Sequence, residues 1–140
     1  MPHPLISIKS LLEEIEREDS RSIVITLPSN INWDDYQKEL DKVKNGRNVI
    51  NFKVGQFPKG IKAGDRCYLV HKGYVIGWMA IAGLSEKEFV CSTTGKKWVG
   101  KFIERSGPFH YLDEKIPMKG FQGFRYFSPQ NIKYDSNNFN

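Results

Sequence analysis

The sequence predicts an α+β domain with one core, helices early in the chain and a small, strongly curved sheet made from the remainder. Three observations carry this expectation. Apolar residues recur at helical spacing only within the first 46 residues. From residue 55 onward, short runs of β-branched and aromatic residues punctuated by glycine read almost entirely as strands. The chain has 140 residues, 39% of them hydrophobic and 26% charged, a length and balance that suit a single globular domain of roughly 100–200 residues.

The elements follow in order. "SIKSLLEEIERED", residues 7–19, reads as a helix with Ile8, Leu11, Leu12 and Ile15 at helical spacing and Ser7 able to cap it. "SIVITLP", residues 22–28, is a buried strand ended by Pro28. A second helix follows, with Asn32 as N-cap, Asp34 and Asp35 at the positive end of its dipole, and Lys42 and Lys44 at the negative end. Trp33, Tyr36, Leu40 and Val43 form its apolar stripe, and Asn45-Gly46 stops it. "NVINFKV", residues 48–54, alternates as a strand.

The glycine-punctuated half begins with "GDRCYLVHKGYVIGWMAIAGL", two strands joined by a tight turn at Lys72-Gly73. "KEFVCSTTGKKWVGKFIERSG" repeats the form with a turn near Thr94-Gly95. "ERSGPFHYLDEK" reads as a connecting loop, a place where function often resides. "PMKGFQGFRYF", residues 117–127, reads as a last strand with Gln122, Phe124 and Tyr126 on one side and Phe121, Gly123, Arg125 and Phe127 on the other. The expected organisation is an N-terminal helix in residues 1–19, a domain over 20–127 and a polar tail over 128–140.

Net charge is +5 and the pI about 9.2, which favours a polyanionic partner such as nucleic acid. Cys67 and Cys91 sit beside apolar neighbours, as small buried hydrophobes do, and two cysteines are too few for a secreted disulfide scaffold. No apolar run approaches the roughly 18 residues of a membrane span, and Met1-Pro2-His3-Pro4 lacks the start of a signal peptide. A soluble, cytoplasmic protein with no membrane contact is expected. His3, His71 and His110 have no metal-ligand spacing with one another or with cysteines or carboxylates, and no phosphate-loop or dinucleotide motif is present. No cofactor and no metal are therefore expected.

The order strand, helix, strand, then a hairpin opened by Gly64-Asp65-Arg66 in "IKAGDRCYLVHKGYVIGWMAI" resembles the PUA-like superfamily, which includes PUA, ASCH, EVE and YTH domains. The resemblance covers roughly residues 20–127. It implies a curved mixed β pseudo-barrel with N-terminal helices packed on it, and a domain that binds RNA, DNA or a modified base. Two competing classes stand beside it: a small hydrolase or ribonuclease of ASCH type, and a protein-interaction module. Against the ASCH signature G-x-K-x-x-E-x-R, Gly60 and Lys62 match, Asp65 takes the glutamate place and Cys67 stands where arginine belongs. Arg66 lies one position early, which on a strand turns it to the other face.

Three groups of residues are candidate contacts. Ser29, Asn30 and Asn32, with Trp33 behind them, lie where the first strand enters the second helix, at the mouth of the groove in PUA-like folds. There they either cap the helix and staple it down, or meet a base edge or phosphate. Lys97 and Trp98, in "TGKKWVGK", interleave charge and aromatic surface as nucleic-acid binders do, or anchor a solvated hairpin. Lys119, Gln122 and Arg125 flank rings expected to be mostly core. His110 and Lys119, together with Tyr111, are the candidates for acid–base catalysis.

Overall fold

The computed structural model describes residues 22–91 and 94–127, so the expected helix over 7–19 and the tail over 128–140 lie outside the described residues. The elements are β1 (Ser22–Leu27), α1 (Trp33–Val43), β2 (Ile50–Val54), β3 (Arg66–His71), β4 (Tyr74–Val90), β5 (Lys97–Pro117) and β6 (Phe124–Tyr126). They form one six-stranded sheet in the order β2-β5-β4-β3-β1-β6. β1 and β3 are parallel, and every other pairing is antiparallel. This is the curved mixed sheet with a packed helix that the sequence predicts.

Local chemistry explains the element ends. Asn32 Oδ1 accepts the Asp35 backbone N–H at 3.1 Å and starts α1. Gly46, at φ 81°, follows its last turn. Lys72 and Gly73 both adopt positive φ, 51° and 83°, so β3 returns directly into β4 through the two-residue turn that matches strand twist. Register shifts in β4, between Val75 and Gly77, Trp78 and Ala80, and Ile81 and Gly83, give the local bends that curl the long β4–β5 pair.

Alternation along the strands divides the core between the two faces of the sheet. One face carries Ile23, Ile25, Cys67, Leu69, Met79, Ile81, Ile103 and Phe109, and α1 covers it with Leu40, Val43, Trp33 and Tyr36. The other gathers Val24, Tyr68, Val70, Val75, Leu112, Ile116 and Phe127. Burying a side chain of this size stabilises by about 1.5–3 kcal/mol each relative to exposure. Among the described residues, no helix is long and apolar enough to cross a membrane.

Two sequence expectations need correction. The stretch over 104–115 is strand and not a loop, because β5 runs unbroken from Lys97 to Pro117. Its Phe109, Leu112 and Ile116 are buried, while Gly107, at φ 90°, absorbs the irregularity ahead of Pro108. Conversely, only Phe124–Tyr126 of the 117–127 segment is strand. Residues 118–123 form a loop pinned by Met118 N–H to the Gly73 carbonyl at 2.9 Å and by Phe121 N–H to Thr26 Oγ1 at 3.1 Å. Phe121, Phe124 and Phe127 still pack on the two cores, as expected of those rings.

Candidate nucleic-acid interface

The ends of β1, β3 and β5 and the start of β4 meet at one end of the sheet. Leu27 lies opposite His71, His71 opposite Tyr74, and Tyr74 opposite Pro117. The chain leaves β1 through a turn closed by Ile31 N–H to the Pro28 carbonyl at 3.0 Å, which leaves Ser29 and Asn30 exposed. The first residue of α1, Trp33, is only half-buried. Its ring lies 5.3 Å from His71 and 5.7 Å from Tyr36 in near-parallel stacking, and edge-on to Phe109 and Tyr111 at 6.3 and 6.2 Å. Such separations mean offset stacking, so part of the indole stays uncovered.

Positive charge gathers at this end of the sheet. Lys72 forms the β3–β4 turn, and Lys119 lies in the loop pinned to Gly73 and Thr26. Burial lowers the pKa of His71, and the charges of Lys72 and Lys115 lower it further, against a hydrogen bond to the Ile31 backbone that favours the imidazolium. His71 is thus neutral in the fold over a range where the unfolded chain is protonated. Its contribution to stability is complete above the ordinary value of 6.5 and is lost as pH falls through the lower folded value. We expect urea midpoints to decline below about pH 6.5, and this decline to be shallower in His71→Gln; an identical decline in both proteins would show that other groups control it.

Beside the cluster, between α1 and β5, lies a cleft of about 230 Å³ lined by Gln37, Leu40, Asp41, Lys44, Phe109 and Tyr111. Gln37 Nε2 donates to Tyr111 Oη at 3.0 Å across the cleft wall, which leaves the Gln37 carbonyl as an acceptor. Beneath Tyr36, Arg105 is 3% exposed, and its Nη1 lies 3.9 Å from Met79 Sδ. Burial pushes the neighbouring Cys67 thiol up to about 11, with Arg105 pulling the other way. Cys67 is therefore protonated at neutral pH and is no nucleophile.

The sequence candidates do not all converge. Ser29, Asn30, Asn32, Trp33 and Lys119 share this end, with Gln122 in the same loop as Lys119. Asn32 uses its carbonyl as the cap, so its amide NH₂ is what remains for a ligand. Arg125 sits opposite Val24 and stacks 4.3 Å over Phe121, on the sheet face away from α1. It pairs with the Phe121 ring, whereas Asp65 accepts the Lys62 backbone N–H at 2.9 Å to close its own turn. Lys97 and Trp98 lie at the other end of β4–β5, where Trp98 faces Phe89.

His110 belongs to a different arrangement. Its ring lies 4.2 Å from Trp78, and Arg66 approaches the same indole at 4.2 Å from β3, so a row crosses β3–β4–β5. Because neighbours on a strand alternate, His110 points away from the face of Tyr111 and Trp33. Of the three residues proposed for an acid–base centre, His110 and Tyr111 are therefore on opposite faces of the sheet.

His71, Lys72, Lys115, Gln37 and Tyr111 escaped the sequence reading as binding residues. No local pattern marks them. Gln37 and Tyr111 are 74 residues apart, and only the course of β5 beside α1 joins them.

Comparison with known proteins returns no matching family model and no matching curated protein. Among solved structures, the chain is similar to the crystal structure of a point mutant of ZmASCH from Zymomonas mobilis, at 14% identity and a TM-score of 0.49. The match covers 82% of this chain and 96% of that one.

Proposed function

We propose that this domain binds nucleic acid, holding a single-stranded segment or one exposed, modified base at the Trp33 end of the sheet. One observation carries the reading: Lys72 and Lys115 flank a half-exposed aromatic cluster whose rim presents Ser29, Asn30 and the Asn32 amide, and the Lys119 loop reaches the same end from the other face of the sheet. Lysines supply the sequence-independent attraction to phosphate, while the amides and hydroxyl read edges, and the uncovered part of the indole offers a surface for a base. Gln122 extends the polar rim, and Arg125, already seated on a ring, is available to phosphate on the far side of β6.

The test is fluorescence anisotropy with labelled single-stranded RNA, single-stranded DNA and duplex DNA at about 50 and 200 mM salt. Each removed phosphate contact lowers the salt slope by about 0.7 for a single strand, so Lys72→Gln/Lys119→Gln should reduce it by about 1.4. Binding to none of the probes, or binding indifferent to salt and to both lysines, would overturn plain nucleic acid as the ligand.

A further inference from the structure

We infer that the far end of the β4–β5 hairpin is a second contact, one that holds the phosphate backbone of the same strand; this rests on the nucleic-acid reading above. β3 leaves β4 after Ala80, and β2 pairs with β5 only from Lys101 onward. Among the described residues, 86–90 and 97–100 therefore form a two-stranded ribbon projecting beyond the sheet.

The two faces of this ribbon differ in chemistry. On one, Phe89 and Trp98 lie opposite each other. Lys96 Nζ lies 4.6 Å over Trp98, and Lys87 Nζ lies 5.4 Å over Phe89. Lys53 joins this face from β2, its stem running across Gly100, where a Cβ would stand only 3.0 Å from Lys53 Cε. The one carboxylate described here, Glu104, is bound to Lys87 at 2.6 Å, which leaves Lys53 and Lys96 as surplus charge. On the other face, Lys97 is neutralised by Glu88 at 2.7 Å, between the exposed Val90 and Val99.

Only the first face is complementary to a polyanion. Its rings hold the lysine stems, and an exposed cation–π contact of about 0.5–1 kcal/mol is weak enough to exchange for a phosphate. The ribbon thus assigns Trp98 the role of seating Lys96, and Lys97 the role of an internal ion pair. From Tyr74 to Val90, β4 spans at most about 53 Å at ~3.3 Å per residue, or ~15 nucleotides of a strand stacked at the ~3.4 Å per-strand rise of a duplex. A strand of that length is needed to occupy both ends.

The experiment compares the parent with Lys53→Gln/Lys96→Gln, two exposed positions whose change leaves the core intact, using single-stranded RNA of about six and about 24 nucleotides. The expected result is a salt slope for the long probe reduced by about 1.4, with affinity for the short probe unchanged. Equal long-probe binding by parent and variant overturns the ribbon while leaving the Trp33 end standing. Long-probe binding that needs Lys53 and Lys96 but ignores Lys72 and Lys119 supports the ribbon and overturns the Trp33 end. No binding of either probe overturns both.

Discussion

Gly77→Ala is expected to lower the melting temperature of this protein by roughly 10 °C or more. A Cβ at position 77 would stand 2.3 Å from the His110 carbonyl oxygen and 2.4 Å from Phe109 Cε1. The first of these is backbone of the adjacent strand and cannot rotate away. Gly77 lies at the register shift where β4 crosses β5, so relief requires separating the two longest strands. Overpacking ordinarily costs about 1–3 kcal/mol, and a clash against backbone belongs at or above the top of that range. A destabilisation of about 3 kcal/mol lowers the melting temperature by roughly 10 °C in a domain of this size. Thermal melts by circular dichroism measure it. Gly83→Ala serves as the comparison, since its Cβ would meet only the Glu104 side chain at 3.2 Å and should be far milder. Equal melting temperatures for the two variants would show that the close approach at Gly77 relaxes without cost.

Trp33→Ala is expected to affect binding and stability together, and Trp33→Phe to separate the two effects. The indole joins α1 to His71, Phe109 and Tyr111, so its loss removes the packing of the first helical turn on the sheet. Full truncation of a buried Trp costs about 3–5 kcal/mol, and a half-buried one about half of that. The loss of stacking surface for one base adds about 1–3 kcal/mol to the binding free energy, roughly a five- to 150-fold weaker Kd. Phenylalanine retains part of the packing but offers a smaller ring, so it should restore most of the stability and only part of the affinity. Urea titration and anisotropy on the same preparations provide the two numbers. Full affinity in Trp33→Ala, measured below its unfolding transition, would reduce Trp33 to a staple for the helix.

The strands, the turns and α1 were readable along the chain because their signals are local. Asn32 before Trp33, Gly46 after Val43 and Lys72-Gly73 between two β-branched runs each act within a few residues. The candidate site was legible only in part. Ser29, Asn30, Asn32 and Trp33 stood out because a helix N-terminus concentrates polar groups beside an apolar stripe. Lys119 came from its aromatic surroundings. His71 and Lys115 carry no such mark, since each is an ordinary strand residue until pairing sets it beside Trp33 or the Lys72 turn.

Composition and periodicity by themselves determined an α+β domain, a basic surface, and which residues are apolar enough to be core. Tertiary structure decided the rest. Three shifts of register carry β5 through Gly107 and Pro108 as a single strand where the sequence reads as a loop. That continuity divides His110 from Tyr111 and brings Tyr111 to Gln37. It also sends Trp98 to the opposite end of the sheet from Trp33. The physical reason is that side-chain direction along a strand alternates with a period of two residues, whereas the partner across the sheet is set by register. A sequence displays the period; the register emerges only when distant strands bury their apolar faces together.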